Sequence, residues 1–433
     1  TCRRPRLDMF SGRRAQATSQ VVRRHRPDYQ IVLFMGLLML LGLIVMYAIG
    51  PQRAQVLNSA YGTDFYSASY FFTKQVLSLA LAVAVFFLMA RLPYQWLQQR
   101  SKQVLYAGLI ACGILAVAGW LQLGIAQCSL GACRWFDLGP LGSVQPSEFL
   151  KLGLLLFASG FIATRTKQGL LNDTYKSIIP LGALFFVIAV LVIGIQKDMG
   201  TGLAMLAILA TMMLVAGLKL RVALGLGLVA LVAGVLLIII APHRVDRITA
   251  FLQGDSASVS DAETYHIAHA KIAIGSGGLL GVGIGNSVQA TGYLPEAIND
   301  SVFAIMGETF GFVGLVLVLI LFTALLLRIL NVADKLPGLE EQLLVVGVFG
   351  WLAAHVILNV AAMTGIFPLT GITLPLLSFG GTSMVFIAGA LGLAFQLSRY
   401  TTHRTISEGA RYEDSRSRRG VGRTRYASRG NRI

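Results

Sequence analysis

Apolar runs of about twenty residues, separated by short polar breaks, recur along the chain from Ile31 to Leu397. A helix needs roughly 20 such residues to cross about 30 Å of hydrocarbon. The pattern therefore predicts an all-α polytopic membrane protein with about ten transmembrane helices. They are expected near 30–50, 71–90, 103–122, 147–164, 178–196, 201–217, 222–241, 302–327, 342–364 and 380–397.

The polar breaks alternate in character. Arg91, Arg100 and Lys102 follow the second run, Arg165, Lys167 and Lys176 the fourth, Lys219 and Arg221 the sixth, and Arg328 and Lys335 the eighth. Cytoplasmic loops carry such an excess of Lys and Arg, so both termini are expected in the cytoplasm. The remaining breaks then face outward: 51–70, 123–146, 242–301 and 364–380. Residues 1–29 form a basic cytoplasmic segment, 30–398 the membrane domain with 242–301 as a large extracellular loop between spans seven and eight, and 399–433 a disordered basic cytoplasmic tail. The first run has full span length and no small-residue cleavage pattern, so it is expected to act as an anchor. No internal repeat is evident, which weakens an inverted-repeat transporter reading.

Composition agrees with a multi-pass chain: 55% of the 433 residues are hydrophobic and 13% charged, with mean hydropathy +0.70. The net charge of +16 would suit a nucleic-acid binder, but the cations sit in the tails and in alternate loops. Nucleic acid is excluded as a partner in favour of anionic lipid headgroups. Of the four cysteines, none has metal-ligand spacing; Cys128 and Cys133 share one outward loop, where a small disulfide could close.

Four segments near the outward face carry candidate chemistry, because an ionisable group in hydrocarbon is costly unless paired or wet. In the first, Arg134-Trp135 precedes Gln145-Pro146-Ser147-Glu148 and Lys151. Ser147 is placed to cap a helix, and Glu148 and Lys151 at i, i+3 can pair on one face. A structural salt bridge and the lining of a polar groove are equal readings of that spacing. In the second, Gln196-Lys197-Asp198-Met199-Gly200-Thr201, Asp198 either caps the next helix or opens an anion-binding helix start.

The third segment holds Arg244 and Arg247, then the glycine run Gly275 to Gly285, then Tyr293-Leu294-Pro295-Glu296-Ala297-Ile298-Asn299-Asp300. The glycine run lacks the spacing of a P-loop, so close packing of the loop on the membrane surface is its expected role. Pro295 would suit a helix start, putting Glu296 and Asp300 on one face at i, i+4 in a shared vestibule with Glu308 already inside the next apolar run. Those carboxylates are either stabilising acids at a helix N-terminus or contain a general base for a hydroxyl nucleophile. The fourth segment, Thr370 to Ser383, includes Thr373 and Ser378; irregular backbone at membrane depth should wall a cavity. His355 and Asn359, one turn apart, are expected to bond to neighbouring helices.

Taken together, these motifs resemble the peptidoglycan glycosyltransferases of the shape, elongation, division and sporulation family over about residues 30–397. The matching residues are Arg134-Trp135, Gln145 to Glu148 with Lys151, Gln196 with Asp198 to Thr201, Gly275 to Gly278, Leu294 to Ala297 with Asp300, and Gly371 to Ser383. Gly285, Asn286, Ser287, Gln289 and Ala297 place the chain nearer the division branch than the elongation branch. The resemblance implies polymerisation of lipid II into glycan strands on the outer face of a bacterial cytoplasmic membrane, for septal wall synthesis. It puts the catalytic carboxylate at Asp300 and substrate contacts at Arg134, Glu148, Lys151, Asp198, Arg244, Arg247, Glu296, Thr373 and Ser378.

The implied substrates are lipid II and the undecaprenyl diphosphate-linked glycan. The implied partners are a class B penicillin-binding protein and other division proteins. The departing diphosphate needs cations, for which Arg134, Arg244, Arg247 and Lys151 are available, and a divalent cation (Mg or Mn) could assist. Lys197, Asn299, His266 and His269 depart from the family pattern, standing where Pro, Thr, Gln and Gln are usual. Two other function classes stay open at this stage: a lipid II flippase, and a non-catalytic membrane scaffold for a transpeptidase.

Overall fold

The computed structural model describes residues 26–129, 132–139, 142–239 and 262–401; Arg244, Arg247 and most of both basic tails lie outside them. In chain order the helices are α1 (Tyr29–Tyr61), α2 (Tyr70–Arg91), α3 (Tyr94–Gln99), α4 (Ser101–Trp120), α5 (Pro146–Lys167), α6 (Thr174–Ile195), α7 (Met199–Val215), α8 (Leu220–Ile239), α9 (Ala262–Ser276), α10 (Val302–Asp334), α11 (Leu339–Met363) and α12 (Gly381–Leu397). Among the described residues, eight of these are long and apolar enough to cross a membrane, and α7 and α8 are further apolar helices. The ten expected spans are therefore present, and the chain is a multi-pass helical membrane protein.

Burial separates the helices into two populations. The apolar windows of α5, α11 and α12 are 72%, 78% and 72% buried, whereas those of α2 and α6 are 22% buried. The first set forms the centre of the bundle. The second turns Leu77, Leu81, Phe87, Phe186 and Val187 outward, as lipid-facing helices do, since hydrocarbon outside removes the usual penalty for exposed apolar side chains. At one end, Tyr94 of α3 donates to Glu340 Oε1 at the start of α11 (3.0 Å). Burial, and secondarily that carboxylate, push the phenol pKa up.

Four departures from the expected layout concern the other end. Span one does not stop at Gly50: α1 continues through Pro51 to Tyr61 and closes on Gly62, whose left-handed φ of 61° suits a residue without Cβ. Much of the supposed polar loop 51–70 is thus helical. The 123–146 loop is a small antiparallel sheet, β1 (Ala126–Ser129), β2 (Ala132–Asp137) and β3 (Ser143–Val144) in the order β1-β2-β3. Cys128 and Cys133 are paired across β1 and β2 and form a disulfide.

The long 242–301 segment contains α9, so it is more than a loop. Its glycine run packs against a break in α10, where Gly311 leaves helical geometry (φ 67°). Backbone groups freed by the break are taken up by the glycine segment: Val282 N donates to Glu308 O (2.9 Å), Gly283 N to Thr309 O (3.1 Å) and Phe312 N to Gly278 O (2.9 Å). A Cβ at Gly281 would stand 2.2 Å from Thr309 O, which no side chain tolerates. The glycine run thus packs onto a broken helix, where packing on the membrane surface was expected.

The fourth departure lies just before α10. Residues 295–301 are not helical: Glu296 has a φ of 49°, and its carbonyl accepts from Asn299 N (2.9 Å) and Ser301 N (3.2 Å). The turn takes Glu296 to an exposed position and leaves Asp300 half-buried, so the i, i+4 helical face expected for the two carboxylates does not form.

Candidate functional site

The centre of the bundle holds an ion pair. Pro146 starts α5, placing Glu148 in its first turn, where the helix dipole favours an acid. One turn on, Lys151 is fully buried and donates to Glu148 Oε1 at 2.8 Å. Its ammonium also lies 3.2 Å from His355 Nε2 of α11 and 4.9 Å from the centre of the Trp351 ring. An ammonium only donates, so Nε2 accepts and the ring proton sits on Nδ1, facing the Thr373 carbonyl at 3.4 Å. Glu148 Oε2, Ser147 Oγ and Trp351 Nε1 are buried polar atoms with no hydrogen-bond partner in the protein, as suits a wall that meets a polar ligand.

One turn further along α11, the Asn359 amide donates to two carbonyls, Asp300 O and Ile372 O, both at 2.7 Å. The face of α11 bearing His355 and Asn359 thereby joins the Lys151–Glu148 pair, the segment containing Thr373, and the loop of Asp300. Phe379 N donates to Ile298 O (2.8 Å), so that segment and the Asp300 loop are also bonded directly. Ser378 is buried, and its hydroxyl accepts from Leu374 N (2.8 Å), folding the irregular segment on itself. His355 and Asn359 were expected to bond neighbouring helices; His355 does so through Lys151 of α5 and also meets a loop at Thr373, whereas Asn359 binds loop carbonyls. The sequence signal was present, two amides or imidazoles one turn apart in an apolar span, but it did not name their partners.

Arg134 and Asp198 organise the neighbouring wall. From β2, Arg134 Nε and Nη2 donate to Gln196 O (3.2 Å) and Lys197 O (2.8 Å), tying the sheet to the turn before α7. Asp198 caps α7, accepting from Thr201 N (2.9 Å) and Thr201 Oγ1 (2.8 Å), while Gln145 Nε2 donates to its second oxygen (2.9 Å). The helix start that could have received an anion is occupied by this carboxylate.

The loop of Asp300 is braced from α9 and α10. Glu308 is buried, and its carboxylate accepts from Ser287 Oγ, Val288 N (3.0 Å) and Gln289 N (3.2 Å). His269 Nδ1 meets Gln289 Oε1 at 2.7 Å, with its ring between Tyr265 and Tyr293. His266 Nε2 meets Ser301 Oγ at 2.6 Å. Asn299 bonds the Glu296 carboxylate. Among the described residues no three His, Cys, Asp or Glu side chains are grouped to hold a metal ion.

Fold and site define a multi-pass membrane protein with a buried polar centre beneath structured loops at one end of the bundle. The cell cycle protein family model of FtsW, RodA and SpoVE matches residues 29–403, and the chain belongs to this family. It is 33% identical over 380 residues to the stage V sporulation protein E of Bacillus subtilis, covering 87% of this chain and 98% of that one. It is 32% identical to the probable peptidoglycan glycosyltransferase FtsW of Nitrosomonas europaea, over 86% and 93% of the two chains. Among solved structures it resembles a chain of a peptidoglycan synthase complex studied for coordinated polymerization and crosslinking (TM-score 0.67, 25% identity, 87% and 99% covered). It also resembles the rod shape determining protein RodA of Thermus thermophilus (TM-score 0.62, 25% identity, 87% and 98% covered). Within the family the chain is FtsW-like, as Gly285, Asn286, Ser287 and Gln289 implied.

Proposed function

We propose that this protein is a peptidoglycan glycosyltransferase that polymerises lipid II on the outer face of a bacterial cytoplasmic membrane, with both termini inside and with septal synthesis as its setting. The glycosyltransferase activity follows from membership of the family and from FtsW relatives bearing that name over most of their length. The observation that carries the mechanism is the single face of α11 that ties the Asp300 loop to the buried Lys151–Glu148 pair.

In this mechanism the Asp300 carboxylate accepts the proton of the sugar 4-hydroxyl on the acceptor lipid II. The oxygen then bonds to the anomeric carbon of the growing chain, and the bond from that carbon to the diphosphate breaks, its electron pair leaving with undecaprenyl diphosphate. Glu148, Lys151 and the 370–378 segment line the polar path beneath, and Arg134, Arg244 and Arg247 supply positive charge for the diphosphate. Any Mg or Mn enters this reading only as a counter-ion of the substrate diphosphate. A class B penicillin-binding protein is the proposed partner, supported by the likeness to a chain of a synthase that couples polymerization to crosslinking.

The test uses the purified full chain in liposomes with lipid II, with and without that partner. Glycan strands resolved on a gel are the expected result. Headgroup translocation with no strands under any condition would make the protein a flippase, and neither activity would make it a scaffold.

A further inference from the structure

Resting on the assignment of Asp300 as the general base, we infer that His266 is a positioning residue for that base, acting through the hydroxyl of Ser301. Ser301 is fully buried and immediately follows Asp300 in the chain. Its Oγ lies 2.8 Å from the Pro295 carbonyl and 2.6 Å from His266 Nε2. A carbonyl can only accept, so the hydroxyl proton points to Pro295, and His266 Nε2 must donate to the hydroxyl oxygen.

The result is a strut running from α9 through Ser301 to Pro295. It closes the seven residues 295–301, which include Asp300, across their two ends. The strut is needed because the loop has no regular ladder of its own. Its internal backbone bonds are the two to the Glu296 carbonyl, and Glu296 sits at an unfavourable positive φ. On the other side Asn359 holds the Asp300 carbonyl. His266 and Asn359 therefore grip consecutive residues, 301 and 300, from two different helices.

His266 is itself buried, so its donated bond is shielded from competing water. A base displaced by about an ångström loses on the order of 10²-fold in rate while substrate contacts elsewhere persist. Removing the strut should consequently lower kcat and leave KM for lipid II in place.

The test measures lipid II polymerisation by the full chain with its transpeptidase partner, for His266→Ala, Ser301→Ala, the double variant, His266→Gln and Asp300→Asn, with thermal unfolding of each in parallel. Each alanine variant is expected to lose about 10- to 100-fold in kcat with KM within twofold of wild type. The double variant should be no worse than either single, because both break one strut. His266→Gln, which restores an N–H donor, should recover most of the rate. If His266→Ala does not fold, Ser301→Ala carries the test alone, since it removes one oxygen atom from a small side chain. Wild-type kcat in Ser301→Ala and His266→Ala beside an inactive Asp300→Asn overturns the strut and leaves the base assignment standing. Multiplying losses in the double variant, or equal losses in His266→Gln and His266→Ala, also overturn it. Full activity in Asp300→Asn instead removes the base assignment on which the strut rests.

Discussion

Glu148 lies in the first turn of α5, almost completely buried and paired to Lys151, whereas Asp300 lies half-buried on a turn outside any helix. The first carboxylate sits on a rigid helix and is fixed through its side chain by a cation that an imidazole holds in turn. The second is fixed through its backbone, by Asn359 on its own carbonyl and by bonds to the residues around it. A group that must stay ionised in a membrane centre needs a permanent counter-charge. A group that must exchange a proton with substrate needs its main chain held in place, and Asn359 and the strut through Ser301 do that. The site thus has two layers, an electrostatic floor and an edge held through its backbone, and α11 joins them.

The largest test of this contrast is Lys151→Met. It leaves Glu148 buried without its cation, and should cost about 3–5 kcal/mol of stability, read as a lower unfolding temperature in detergent together with loss of strand synthesis. A fully stable, active Lys151→Met variant would break the distinction between floor and edge. Next comes Asn359→Ala, which strips donors from two carbonyls in a buried setting and should cost about 2–4 kcal/mol. Its activity should fall further than its stability would explain, since the Asp300 loop is released from α11. Smallest is Cys128→Ser with Cys133→Ser. Opening so short a loop costs about 2 kcal/mol, and hydrogen exchange should locate the loosening in β1 and β2, with a modest fall in rate through Arg134.

Most of the helical frame could be read directly from the chain, because a bilayer forces apolar runs of nearly fixed length and sorts basic residues to alternate loops. What escaped the reading lies where local geometry overrides pattern. The first span is expected to end near residue 50, yet the helix passes through Pro51, and Gly62 ends it. Pro295 was read as a helix start, but a positive φ at Glu296 diverts the chain into a turn. The helix α9 hid in the long segment because Ala262 to Ser276 shows no amphipathic stripe. The sheet around Arg134 was invisible, since its strands are four, six and two residues long.

The site residues divide on the same line. Glu148 with Lys151 was evident from i, i+3 spacing, and Asp198 as a cap from its place before α7. The tie between Asn359 and Asp300 joins residues 59 apart in sequence, and no local pattern encodes it. Arg134 was evident as a cation, but that two of its N–H groups also bind the carbonyls of Gln196 and Lys197 was not, since charge encodes no partner.

The central claim is that Asp300 performs the proton transfer above a floor that does not itself react. The most direct measurement is the rate of lipid II polymerisation by Asp300→Asn, in membranes with the transpeptidase partner, alongside its unfolding temperature. The account predicts a fall of about 10²- to 10⁴-fold in a protein that still folds, because the main-chain bonds that hold residue 300 survive the substitution. Glycan strands formed at the wild-type rate would contradict it.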